Sequence, residues 1–300
     1  MRGELVRIEA EDGLELVGFY AAPEGGASTA VLHVHGLAGN FYENRFVDAV
    51  SRDVLARGAG FLSVNNRGHE YRSDNLLGDG AETISALGGA SWEVFEESAH
   101  DVGGCARYLA SRGHERIVFE GHSLGCNKIV HYLVSRSVPE AAGVVLLAPP
   151  DIYGLRDRGA DGGLSEVLRE ARALVAAGAG ETEMASAGYV VPISAATVVG
   201  MYGDPGASDI FPFRLGSAAA FPHLEEIALP VLVVYGSVDE AAVVPVDEAV
   251  AALEGALAAS PRVEAVVIEG GNHVYWGFEG RVGRAVGGFV GSLLDGKPSS

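Results

Sequence analysis

The sequence predicts an α/β protein: a mostly parallel central sheet with helices on both faces. Three observations predict it. Short apolar runs alternate along the chain with amphipathic helical segments. Runs such as AVLHVHG and AAGVVLLAPP are short and mostly apolar rather than alternating, as strands buried on both faces are. One long stretch breaks this alternation and then lets it resume, which predicts an insertion.

The elements follow in order. Residues on either side of Asp12-Gly13, in ELVRIEAEDGLELVGFYAAP, alternate as an antiparallel hairpin does. AVLHVHG is the next strand, FVDAVSRDVLARG a helix with a glycine stop, and GFLSVNNRG a strand. From His69 to Ser91 the chain is polar and glycine-rich, and it reads as a loop. WEVFEESAHDVGGCARYLASRG is helical in spite of Gly103-Gly104. RIVFEG is a strand, SLGCNKIVHYLVSR a helix and AAGVVLLAPP a strand. After the interruption come LPVLVVYG, VDEAVAALEGALAA, VEAVVIEG and a last helix, FEGRVGRAVGGFVGSLL, with a tail expected to fray. Residues 150–226 hold helical candidates at Leu164–Ala177 and Ser194–Tyr202 with no clear strand between them. They read as a helical lid inserted on the carboxyl side of the sheet, residues 1–149 and 227–300 being the core.

Composition narrows the function classes. The 300 residues are 48% hydrophobic and 20% charged, which suits a globular chain. The formal net charge is -19, and the only lysines are Lys128 and Lys297. Nucleic acids and anionic membrane surfaces need basic patches, so neither is expected as a partner. The start, MRGELVRIEAEDG, has no apolar signal region, and no apolar run reaches spanning length. A cytoplasmic location is expected. Cys105 and Cys126 fall on predicted helices and read as small buried thiols.

Between the strand RIVFEG and the following helix stands Gly121-His122-Ser123-Leu124-Gly125. The pattern G-x-S-x-G is weak among 42 glycines, but between strand and helix it carries a mechanism. A sharp turn lifts the serine hydroxyl above the sheet edge, the glycines allow strand and helix to pack closely, and the helix amino terminus favours developing negative charge. Ser123 is therefore the candidate nucleophile. A serine nucleophile needs a base, and the base an orienting acid. His273 follows the last predicted strand in VVIEGGNH and is the candidate base. Asp239, in VVYGSVDEAAVVP, is the favoured acid, and Asp151, after LLAPP, is its rival; Glu240 is expected to point elsewhere. Two backbone N–H groups would hold an oxyanion. Leu124 supplies one, and Leu37, in LHVHGLAGN, the other.

Further signals are less specific. His33 and His35 form an H-x-H pair without companion ligands, so no metal site is expected. The segment NNRGHE shapes the loop beside the oxyanion donors. His122 lies beside the pocket or under it. The lid carries Tyr153, Met184, Tyr189, Met201, Tyr202, Phe211, Phe213 and Phe221. Either they wall a substrate pocket or they form the lid's own core; on the first reading Tyr153, Met201, Tyr202 and Phe211 face Ser123, and the substrate is bulky and lipophilic or aromatic.

The chain resembles the α/β-hydrolase superfamily in His35-Gly36, Asn66-Arg67-Gly68, the elbow at Ser123, Asp239 and His273, over nearly all of its length outside the lid. GHSLGCNKIVHYL and YGSVDE look most like a branch that includes siderophore-ester and feruloyl-esterase-like hydrolases. The resemblance implies an α/β-hydrolase fold and serine hydrolase chemistry on a small-molecule carboxylic ester through an acyl-enzyme, without a cofactor. Thioesterase or acyltransferase chemistry would use the same residues. A non-catalytic ligand-binding protein on the same fold is the reading from another class. The sequence carries no signal for oligomeric state.

Overall fold

The computed structural model describes residues 3–78, 83–159, 164–184 and 192–295. Tyr189 and the tail after Asp295 lie outside them. Eight strands form one sheet in the order β1-β2-β4-β3-β7-β8-β11-β12. The hairpin β1 (Glu4–Glu9) and β2 (Glu15–Ala21) is antiparallel, and β2 runs antiparallel to β4 (Gly60–Val64). All other neighbours are parallel: β3 (Thr29–Val34), β7 (Arg116–His122), β8 (Ala141–Leu147), β11 (Val231–Gly236) and β12 (Val263–Ile268). The predicted mostly parallel sheet is thus present, and β3, β4 and the inner part of β8 are buried throughout.

The crossovers leave β3 in opposite directions. Helix α1 (Arg45–Ala56) carries the chain from β3 to β4 on one side, while α3 (Leu124–Ser135) carries it from β7 to β8 on the other. Right-handed crossovers then put these helices on opposite faces. Helix α9 (Glu279–Asp295) packs on α1, and α2 (Ser98–Ser111) packs on α3. In α2 the glycine pair has a packing reason: a β-carbon on Gly104 would run into the backbone of Glu9 and Ala10 of the hairpin. The reversal between β3 and β7 opens a crevice at the carboxyl ends of those strands, where ligands of open α/β sheets bind.

The His69–Ser91 stretch is not a plain loop. Residues Ser73–Leu77 (β5) and Ile84–Gly88 (β6) pair antiparallel, and Leu14 bridges to Leu77. Helix α8 (Val246–Ala256) joins β11 to β12.

The segment 150–226 contains α4 (Ile152–Gly159), α5 (Leu164–Ala176), α6 (Ala195–Tyr202) and α7 (Pro222–Glu225). It also holds a two-residue ladder, β9 (Glu183–Met184) with β10 (Ile193–Ser194), where the sequence showed no strand. Ser194 caps α6 by accepting the N–H of Thr197 at 3.1 Å. The apolar residues of this segment divide. Met184, Ile193, Val198, Met201 and Tyr202 cluster with Phe95 and Leu124, whereas Phe211, Phe213, Phe221 and Leu224 join the main core.

Candidate active site

Ser123 sits between β7 and α3 with φ 54° and ψ -130°, a conformation that costs a non-glycine residue energy. Its N–H donates to Leu147 O at 2.9 Å and its carbonyl accepts from Cys126 N at 2.8 Å, so the turn is held from both sides. The flanking glycines are sterically required. A β-carbon on Gly121 would strike Gly125 and Cys126, and one on Gly125 would strike the Val34 carbonyl. Across the crevice, a β-carbon on Gly36 would lie 2.7 Å from Ser123 Cβ. The loop after β3 and the elbow after β7 are thereby in direct contact at the reversal point. Leu124 opens α3, so its N–H has no acceptor within the helix. Leu37, directly after Gly36, lines the same cavity as Ser123.

Asp239 and His273 come from the loops after β11 and β12. His273 Nδ1 lies 2.9 Å from Asp239 Oδ1, and the carboxylate side chain is almost wholly buried. The loops are locked together: Val238 N donates to Gly271 O at 3.0 Å, and a β-carbon on Gly236 would collide with that carbonyl. Tyr275, in left-handed backbone at φ 57°, is fully buried and donates to Val234 O at 2.9 Å, which ties the histidine loop to β11. Asp151 is engaged elsewhere. It accepts from Gly154 N at 2.7 Å, from Arg214 N at 2.6 Å and from the Arg214 guanidinium at 2.8 Å.

Glu240 does not point away, as the sequence suggested. Its Oε2 accepts the backbone N–H of His273 at 3.0 Å. Adjacency to Asp239 on a tight turn was a poor guide, because the turn presents both carboxylates to successive parts of one loop.

A buried polar network supports the loop after β3. Asn66 donates from Nδ2 to His35 O and from its backbone N–H to His35 Nε2, both at 3.1 Å. Asn66 Oδ1 accepts from Lys128 Nζ at 3.0 Å, and that fully buried ammonium is 2.5 Å from Glu93 Oε1. Burial, then the Lys128 charge, hold the His35 pKa well below its ordinary value, so the ring is neutral. His33 is a packed strand residue; its Nδ1 is 2.7 Å from Glu120 Oε1, its register partner on β7. Arg67 pairs with Asp12, Glu97 and Asp101, fixing the loop after β4 to the hairpin and α2. Among the described residues no group of His, Cys, Asp or Glu could hold a metal ion.

Ser123 and His273 line one cavity of about 810 Å³. Its apolar wall is Leu37, Tyr71, Val274 and Trp276, with His122 also on it. Of the five pocket candidates only His122 reaches this cavity. Tyr153 is wholly buried, with its ring against the Arg156 and Arg214 guanidiniums and its hydroxyl 3.1 Å from Ser208 Oγ. Phe211 stacks on Phe213 in the main core. Met201 and Tyr202 pack in the second cluster, and Met201 borders a separate small cavity with Leu124 and Phe95. Apolar periodicity marked these side chains as buried but could not say against what. The actual wall residues Tyr71 and Trp276 are more than half exposed and look like ordinary surface in the sequence; the signal that could have found Trp276 is its place three residues after His273.

The fold and this site define the class: a doubly wound α/β protein with a strained serine elbow at the sheet reversal and an Asp–His pair on the two following loops. The alpha/beta hydrolase family model matches residues 31–284, and the chain belongs to that family, as a hydrolase of that type. A search of curated proteins returns no match. Similar solved structures include Est1E from Butyrivibrio proteoclasticus, at 16% identity over 97% of this chain and 99% of that one, with a TM-score of 0.61. An esterase from Pyrococcus furiosus is 17% identical over 95% and 90%, with a TM-score of 0.59. Carboxylesterase CesB from Bacillus subtilis is 16% identical over 99% and 93%, with a TM-score of 0.55. A second structure of Est1E has ferulic acid bound. No helix among the described residues is long and apolar enough to cross a membrane.

Proposed function

We propose that the protein is a serine-dependent carboxylic-ester hydrolase that works through an acyl-enzyme on Ser123. One observation carries the reading: the His273–Asp239 bond of 2.9 Å on a cavity that His273 shares with Ser123. Asp239 takes Nδ1, which leaves Nε2 as the free nitrogen. Ser123 Oγ attacks the ester carbonyl and passes its proton to Nε2. The N–H groups of Leu37 and Leu124 hold the oxyanion. His273 returns the proton to the leaving alcohol, and water, activated by the same nitrogen, releases the acid. The exposure of Leu37, Tyr71 and Trp276 on the cavity wall favours water as acceptor over a second bound substrate.

The same wall favours a bulky aromatic or lipophilic substrate over an acetate ester, because aromatic faces reward burial of apolar surface. Ferulic acid bound to Est1E is an aromatic acid on a similar fold. Free buried Cys105 and Cys126 suit a cytoplasmic setting. The test is a panel of aryl and alkyl esters and thioesters on wild type and Ser123→Ala. Turnover of aryl esters that disappears in the variant supports the proposal; folded wild-type protein inert to the whole panel and to a fluorophosphonate probe supports a ligand-binding role.

A further inference from the structure

The structure assigns to Glu240 and His122 a positioning role: together they clamp the peptide groups of His273. The assignment rests on the reading of His273 as the base. The N–H of His273 donates to Glu240 Oε2 at 3.0 Å. Its carbonyl is 2.9 Å from His122 Nε2, and the two rings lie in contact, tilted by 44° with centroids 5.0 Å apart. The ring of His273 is in turn held by Asp239. One residue is thus gripped at its amide, its carbonyl and its side chain by three different side chains.

The chemistry of the clamp is definite. A carbonyl can only accept, so His122 Nε2 carries the proton and donates it. His122 is buried against Phe46 and Tyr275, and burial, followed by the neighbouring His273, keeps its pKa well below the ordinary histidine value. A neutral ring with one committed N–H is a fixed strut. Glu240 stands on the turn that also carries Asp239, so acid and amide acceptor move as one body. Arg158 of α4 donates to the carbonyls of Glu240 and Ala242, at 3.1 and 2.5 Å, and ties that turn to the inserted segment. For proton transfer the imidazole has to bring its free nitrogen to the Ser123 hydroxyl, and misplacement by about 1 Å costs on the order of 100-fold in rate. Loosening one backbone bond of the clamp therefore lowers kcat without changing how substrate binds.

The experiment is steady-state kinetics with an aryl ester on Glu240→Ala, Glu240→Gln, His122→Phe and His122→Gln, with melting temperatures for each. Glu240 is exposed, so its truncation leaves the fold intact. The clamp predicts that Glu240→Ala loses about tenfold in kcat with KM within about twofold. Glu240→Gln, whose amide oxygen accepts the same bond, returns to within about threefold of wild type. His122→Phe keeps ring volume but lacks the donor and falls in kcat likewise, while His122→Gln regains part of the loss. Wild-type kcat in Glu240→Ala, a loss confined to KM, or a Gln variant as slow as the Ala one would overturn the assignment. His273→Ala serves as control: full activity there refutes the reading of His273 itself, independently of the clamp.

Discussion

Arg214 holds Asp151 with both backbone and side chain, N at 2.6 Å from Oδ2 and Nη1 at 2.8 Å from Oδ1. The rival acid is therefore committed to the segment between β8 and β11, while Asp239 is bonded to His273. Asp239→Asn should lower kcat by about three to four orders of magnitude, because the amide favours the wrong imidazole tautomer. Asp151→Asn should instead cost about 1–3 kcal/mol of stability, with kcat within about threefold. Denaturant titrations and kinetics on both variants check this, and reversed effects would give the orienting role to Asp151.

Lys128 is a stability residue beneath the site. Its ammonium is fully buried between Glu93 and Asn66, and Asn66 in turn holds His35. Lys128→Met leaves the Glu93 carboxylate buried without its partner, at a cost of about 3–5 kcal/mol. Replacing both, as Lys128→Met with Glu93→Met, should recover a large part of that loss. The urea midpoints of the single and double variants decide, and an unchanged midpoint in the single variant would remove the ion pair from the account.

Mild acid should destabilise the fold through its buried histidines. His35 and His122 are buried neutral, with folded pKa values well below 6.5. As pH falls below that value the unfolded chain takes up protons that the folded chain refuses, so stability falls with pH. Each such histidine contributes a slope of about 1.4 kcal/mol per pH unit once below its unfolded pKa. Burial also lowers the pKa values of His114 and His131. Urea titrations between pH 7.5 and 5.5 should show the decline, and His122→Phe should remove part of it. A midpoint constant across that window would contradict neutral burial.

The cavity wall and the buried aromatics should separate in a truncation experiment. Trp276 is 69% exposed on the wall of the Ser123 cavity, whereas Phe211 is buried in the core. Trp276→Ala should raise KM for aryl esters by about tenfold and barely change it for acetates, from lost apolar contact at about 25 cal/mol per square ångström. Phe211→Ala should cost about 3–5 kcal/mol of stability and leave size preference unchanged. KM values across an ester series, beside melting curves, test both halves.

The parts of the molecule written in local patterns were legible in the sequence. Most strands of the parallel sheet are short, mainly apolar runs, and the elbow at Ser123 is a steric pattern set by Gly121 and Gly125. Other parts depend on tertiary packing. Ser73–Leu77 is a strand of mixed polarity that pairs because the chain returns on itself at Ile84–Gly88, so neither alternation nor an apolar run announces it. Tyr153 and Phe211 were legible as buried, but the surface that covers them was not. Glu240 was misread because the direction of a side chain on a turn is fixed by the loop opposite, here the amide of His273.

The most direct test of the central claim is to trap the covalent intermediate. Wild-type enzyme is mixed with an activated aryl ester, quenched in acid within its first turnovers, digested, and the peptide bearing Ser123 is weighed. The account predicts the mass of one acyl group on Ser123, with none on the Ser123→Ala protein and no turnover by it. An unmodified Ser123 during active turnover, or undiminished hydrolysis by Ser123→Ala, would contradict it.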